Sequence, residues 1–201
     1  MIEIVGVRGT VPGRGTRGLV SLTVRPGEIV ALCGHDATTL LDLVTGDTRP
    51  AEGTVRVNGL DPYTDRSRVT VAALSADDAL YGDLTLNEIA GAWRTWATRP
   101  LPAAANTAMT GLTPRGTVPY TRLTPSERRR FDLAMALTTT PDALVITEPT
   151  TSLPTADSRA FWRTLRTLPL PILIATTSPR EARKADRALL LTPTPTTARA
   201  A

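Results

Sequence analysis

Two stretches hold residue types and spacings suited to chemistry on an anion. In the first, a buried-strand pattern from Ile29 to Cys33 passes through a short turn, Gly34 to Ala37, into a helix opening at Thr38. That helix carries apolar residues at Leu40, Leu41 and Val44 and meets a stop at Gly46. A helix N-terminus reached through a glycine turn presents free N–H groups and positive dipole to a phosphate. The general phosphate loop, G-x-x-x-x-G-K-[ST], sets six residues between its first glycine and the hydroxyl residue, with a lysine just before the latter. Here only His35, Asp36 and Ala37 separate Gly34 from Thr38, and neither the second glycine nor the lysine is present. In the second stretch, Leu123 to Glu127 (LTPSE), Thr124 is placed to cap a helix, with Pro125 in its first turn and Glu127 at the capping-box position.

Other reactive types stand beside these. Asp36 lies where its carboxylate can accept from the N–H of Thr38 or Thr39, either as a plain cap or as an anion of the chain's own that would repel phosphate. His35 is the only histidine, without a second histidine or a cysteine pair to share a metal, and reads as a turn residue. Cys33 is the only cysteine, so no internal disulfide forms, and in an apolar strand it reads as a small core residue. Glu148 follows the apolar run Ala143 to Thr147, where its carboxylate can hydrogen-bond within the Glu-Pro-Thr turn; Arg128 to Arg130 read as a solvated face.

The elements that must position these groups follow from pattern. Met1 to Val7 and Val20 to Val24 alternate as an antiparallel pair joined by a glycine-rich connection. Thr54 to Val57, Val69 to Leu74, Ile172 to Ala175 and Ala188 to Thr192 read as further strands. Leu86 to Trp96 is an amphipathic helix with Leu86, Ile89, Ala90, Trp93 and Trp96 along one stripe, which suits either a core or a partner surface.

Composition fits one domain: 201 residues, 41% hydrophobic and 21% charged. No run approaches the roughly 18 apolar residues of a membrane span, and the first residues pattern as a strand and not as a signal peptide, so a cytoplasmic location is expected. The net charge of +4 comes from arginines scattered among acids, which argues against nucleic acid as a partner. Lys184 is the sole lysine, so no other lysine is available to the turn after Cys33.

Taken in order, VSLTVRPGEIVALCG, TTLLDLVTGDTRPAEGTVRVNGLDP, RLTPSERRRFDLAMAL, PDALVITEPTTSLPTADSRAFWRTL and PILIATTSPREARKADRALLL resemble the ATP-binding subunits of ATP-binding cassette (ABC) transporters over nearly the whole chain. The resemblance implies an α/β fold, a P-loop NTPase-like ABC cassette: a mostly parallel sheet with helices on both faces, a small antiparallel N-terminal part, a reduced helical subdomain over 77–134 and a disordered tail over 193–201. It implies ATP and magnesium as cofactors, and a membrane permease, a second ABC ATPase subunit or both as partners, with the chain peripheral to the membrane through the permease.

Carried over residue by residue, the resemblance puts Val11 at the adenine-stacking position and makes Gly34, Thr38 and Thr39 a vestigial nucleotide site. Ala76 falls at the glutamine that senses γ-phosphate and magnesium, and LTPSE at the signature LSGGQ, where Pro125 removes an N–H donor. Thr147 occupies the metal aspartate, Pro154 the D-loop aspartate, and Thr177 or Ser178 the switch histidine. Glu148 keeps the general-base position, and no residue set holds a metal. Three functions follow as expectations: a non-catalytic subunit partnering an active ATPase or a permease, a slow ATPase using Thr38, Thr39 and Glu148, or a scaffold unrelated to transport.

Overall fold

The computed structural model describes residues 1–8, 19–34, 37–75, 81–96 and 112–191. Five expectations fall wholly or partly outside them: the adenine position Val11, the turn residues His35 and Asp36, the glutamine position Ala76, the tail over 193–201, and residues 77–80 and 97–111 of the expected helical subdomain.

Two sheets form. β1 (Ile2–Arg8), β2 (Val20–Val24) and β4 (Glu52–Val57) make an antiparallel sheet in the order β2-β1-β4. β3 (Ile29–Cys33), β5 (Val71–Leu74), β6 (Ala143–Thr147), β7 (Ile172–Thr176) and β8 (Arg187–Leu190) make a parallel sheet in the order β5-β6-β7-β3-β8. Its registers place Cys33 beside Thr176 and Thr147 beside Ala175, so the carboxyl ends of the three central strands lie side by side.

Strand alternation decides which helices cover which face. Val30, Leu32, Val145, Leu173 and Ala175 point to one side, where α1 (Ala37–Thr45) packs Leu40, Leu41 and Val44 between them and the antiparallel sheet. Ile29, Leu144, Ile146, Ile172 and Ile174 point to the other, under α3 (Pro125–Leu137) and α4 (Thr155–Arg166), which supply Leu133, Leu137, Phe161, Trp162 and Leu165. Burying one such aliphatic side chain contributes about 1.5–3 kcal/mol, so this two-sided core dominates stability. A third cluster, around Leu86, Ile89, Tyr120, Phe131 and Met135, joins α2 (Leu86–Trp96) to α3. A four-residue helix, α5 (Pro179–Ala182), leads from β7 toward β8.

Most boundaries match the pattern reading. β3, β6, β2 and α2 have the expected limits, whereas β1, β4, β5 and β7 differ by one or two residues at an end, α1 begins one residue early, at Ala37, and the last strand is Arg187–Leu190 instead of Ala188 to Thr192. Gly46 ends α1 with φ +78°, and a Cβ there would lie 2.3 Å from Pro62 O, so glycine is required. Trp93 is a packing residue: half-buried, it donates from Nε1 to Tyr81 Oη at 3.1 Å and lies against the third cluster.

Candidate functional site

In open parallel sheets, ligand crevices form beyond the carboxyl ends of the strands. Gly34 leaves β3 there with φ +123°, its Cα so close to the chain after β8 that a Cβ would meet Leu191 O at 2.6 Å. The Ala37 N–H turns back to Gly34 O at 3.2 Å. Thr38 is exposed and Thr39 half-exposed at the start of α1, and neither hydroxyl has a hydrogen-bond partner among the described residues. The Cys33 thiol is held protonated, since burial and the nearby charge of Glu148 both push its pKa up.

Glu148 is fixed on both carboxylate oxygens. Oε1 accepts from the Thr177 N–H at 2.6 Å and the Thr177 hydroxyl at 2.9 Å, while Oε2 accepts from Thr151 Oγ1 at 2.8 Å and Thr176 Oγ1 at 2.9 Å. Burial pushes this carboxyl up, but the Thr177 N–H and the three hydroxyls outweigh it and hold the group below the ordinary glutamate value. Its backbone sits at φ +44°, a left-handed conformation that is unfavourable for a non-glycine residue and persists only when its surroundings over-determine it. They do so here, with the Glu148 N–H bonded to Ala175 O at 2.9 Å.

Arg129 supplies the rest of that constraint, and it corrects the solvated-face reading of Arg128 to Arg130. Its side chain is buried, at 9% exposure. Nε donates to Pro149 O at 3.0 Å, Nη2 to Thr147 O at 2.8 Å and Glu148 O at 3.3 Å, and Nη1 to Ser75 O. One guanidinium therefore satisfies carbonyls at the ends of both β5 and β6.

The LTPSE segment is a complete capping box. Thr124 Oγ1 accepts from the Glu127 N–H at 3.3 Å, and Glu127 Oε2 accepts from the Thr124 N–H at 2.9 Å, with Pro125 in the first turn. Leu123 is buried, and the Ser126 hydroxyl, also buried, donates to Asp157 at 2.6 Å. The Thr124 backbone bond, together with the Arg115 charge, holds Glu127 below the ordinary glutamate value against the effect of burial. Lys184 lies elsewhere: Nζ bonds Glu181 Oε1 at 2.6 Å and Ser158 Oγ at 2.8 Å, while Glu181 Oε2 accepts from Thr150 Oγ1 at 2.7 Å and Trp162 Nε1 at 3.2 Å.

The structure thus gathers Glu148, Thr147, Thr176 and Thr177 at the carboxyl ends of adjacent strands, with Gly34 leaving the neighbouring strand β3. LTPSE belongs to the start of α3. Pattern reading missed Arg129 and the Thr177 and Thr176 contacts to Glu148. It also missed a second capping box, in which Thr85 N donates to Glu88 Oε2 at 2.8 Å and Glu88 N to Thr85 Oγ1 at 3.3 Å; the sequence Thr-Leu-Asn-Glu carried its signal. No helix among the described residues is long and apolar enough to cross a membrane.

A parallel sheet flanked by helices, an antiparallel sheet beyond α1 on one face and a separate helical cluster make up the cassette architecture of the P-loop NTPase fold. The dimeric MJ0796, described as a bacterial ABC transporter cassette, shares the fold with TM-score 0.79 over 95% of this chain and 94% of its own, at 18% identity. The same cassette in a post-hydrolysis state bound to ADP and Pi gives TM-score 0.77 over 96% and 94%, also at 18% identity. The family model described as ABC transporter matches residues 18–151, about two thirds of the chain. The cytochrome c biogenesis ATP-binding export protein CcmA of Rhodopseudomonas palustris is 30% identical over 164 residues, 79% of this chain and 80% of the relative. The ABC transporter ATP-binding/permease protein Rv1747 of Mycobacterium tuberculosis is 29% identical over 96% of this chain, which spans 24% of that relative's length. The chain belongs to the ABC transporter ATP-binding protein family.

Proposed function

We propose that this chain is a non-catalytic ATP-binding-subunit homologue that works as a partner of an active ATPase subunit or of a membrane permease at the cytoplasmic face. The observation that carries this reading is the Glu148 carboxylate, whose two oxygens are both taken by Thr151, Thr176 and Thr177. A general base must accept a proton from the attacking water, and a carboxylate that is saturated with donors and held below its ordinary pKa is a poor one. Magnesium and triphosphate fit the remaining residues badly. Thr147 offers a hydroxyl where a metal carboxylate would stand, the turn after Gly34 is short and the only lysine is engaged with Glu181 and Ser158. Phosphoryl transfer depends on positioning and charge stabilisation, so losing lysine and metal ligand together removes its main source of catalysis. The same reading treats 77–134 as a reduced helical subdomain, and takes LTPSE as a helix cap in place of a donor loop for a partner's nucleotide.

One observation favours the slow-ATPase alternative. The Thr38 and Thr39 hydroxyls at the start of α1, without a hydrogen-bond partner among the described residues, are available for a phosphate contact. Titration calorimetry with magnesium-ATP separates the two, since for a non-catalytic partner no heat that depends on Thr38 and Thr39, and no turnover, is expected. Micromolar binding accompanied by turnover would favour the alternative. Co-purification with an integral membrane protein is the expected result for the partnership, and its absence from every membrane fraction would count against it.

A further inference from the structure

We propose that the groove between α4 and α5 is a binding site for a compact oligophosphate, a di- or triphosphate, held by Arg159, Arg163 and Arg183. The groove has a volume of about 540 Å³ and is lined by these arginines with Trp162, Arg166 and Lys184; a second concavity of about 420 Å³ continues it past Arg159 toward Arg180.

Arg159, Arg163 and Arg166 recur at spacings of four and three on α4, so they stand in one row about 10 Å long. Arg180 and Arg183 belong to α5 and its end. Like charges at such spacings repel and weaken a helix unless an anion offsets them. Several arginines elsewhere are matched with acids, as in Arg8–Glu52, Arg68–Asp65 and Arg187–Glu28, and those that are not, such as Arg122, do not stand in a row. Among the described residues, however, the exposed side chains of Arg159, Arg163, Arg180 and Arg183 form no hydrogen bond or ion pair.

The nearby acids do not relieve this. Glu181 is buried and already neutralised by Lys184, Asp186 is bonded to Arg166 and to the Ile29 N–H, and Asp157 accepts from Ser126. The field over the groove is that of the arginines.

Shape selects the class of anion. A volume of this size holds a small ligand, whereas a partner helix is about 10–12 Å across. Guanidinium forks match phosphate oxygens in paired hydrogen bonds. Trp162 is almost fully buried, with its N–H given to Glu181, so it offers packing beneath the site and not a stacking face for a base.

The test is calorimetric titration of the 201-residue chain with sodium tripolyphosphate, without magnesium. Saturable one-site binding is expected, weakening as salt is raised. Single Arg163→Gln and triple Arg159→Gln/Arg163→Gln/Arg183→Gln variants, checked for folding by circular dichroism, should lose roughly tenfold and more than tenfold in affinity respectively. Thr38→Ala/Thr39→Ala should bind as the parent does, which keeps this site separate from the start of α1. Loss of binding in the threonine variant with retention in the arginine variants would overturn the proposal. So would absence of binding, equal binding of citrate or of an acidic peptide, or adsorption to phosphatidylserine vesicles without tripolyphosphate uptake.

Discussion

The turn around Glu148 and the surface between α4 and α5 are built from the same kinds of polar side chain in opposite ways. At the turn, carboxylate oxygens and strand-end carbonyls are met by threonine hydroxyls or by Arg129. On the helical face, four guanidinium groups protrude without partners among the described residues. A polar group that is satisfied internally adds rigidity and has little left to give a ligand, whereas a cation left in solvent is a standing offer to an anion. On the reading proposed above, the region at the usual ligand crevice acts as structure and the face between α4 and α5 as a binding surface.

The largest effect is expected from breaking the satisfied region at its centre. Arg129→Met should lower unfolding stability by about 3 kcal/mol, because several strand-end carbonyls lose their donor in a buried setting; urea denaturation measures it, and a change under about 0.5 kcal/mol would mean that water replaces the guanidinium freely.

Acid should weaken the fold more gradually, at the Glu148 turn and at three other held carboxylates. Glu148, Glu127, Asp186 and Glu28 all have folded-state pKa values held below their ordinary values of 4.5 for glutamate and 3.8 for aspartate. The unfolded chain therefore binds more protons in that window, so their contribution is full above about pH 5 and declines as pH falls through 4.5 and below. A thermal midpoint that stays flat from pH 6 to about 3 would contradict it.

Glu148→Gln is a milder change, expected to lower stability by about 1 kcal/mol. The amide oxygen can keep the Thr177 N–H, and the Thr151 and Thr176 hydroxyls can rotate to accept from the amide nitrogen. The smallest effect belongs to the other region. Arg163→Glu places an acid between Arg159 and Arg166 and should raise stability by a few tenths of a kcal/mol. A loss of 1 kcal/mol or more would show that the arginine row has a structural role after all.

What the sequence revealed depended on how local the determining physics was. The limits of β3 and β6 were readable because an apolar run bounded by turn residues is a property of five consecutive positions. The Thr124 cap was readable because its partner Glu127 lies three residues away. Arg129 was not, since within Arg-Arg-Arg nothing marks the middle residue until α3 is laid across the ends of β5 and β6. The Glu148 clamp was hidden for a similar reason: Thr176 and Thr177 reach it only through the pairing of β6 with β7. The basic face was also concealed, because arginines scattered among acids along the chain are sorted by the fold onto one surface.

The central claim is that Glu148 is a structural carboxylate here. Phosphate release from magnesium-ATP, measured for the parent chain and for Glu148→Gln side by side, tests it most directly. Both should release phosphate at the same background rate; a parent rate well above background that collapses in the Glu148→Gln variant would contradict a structural role.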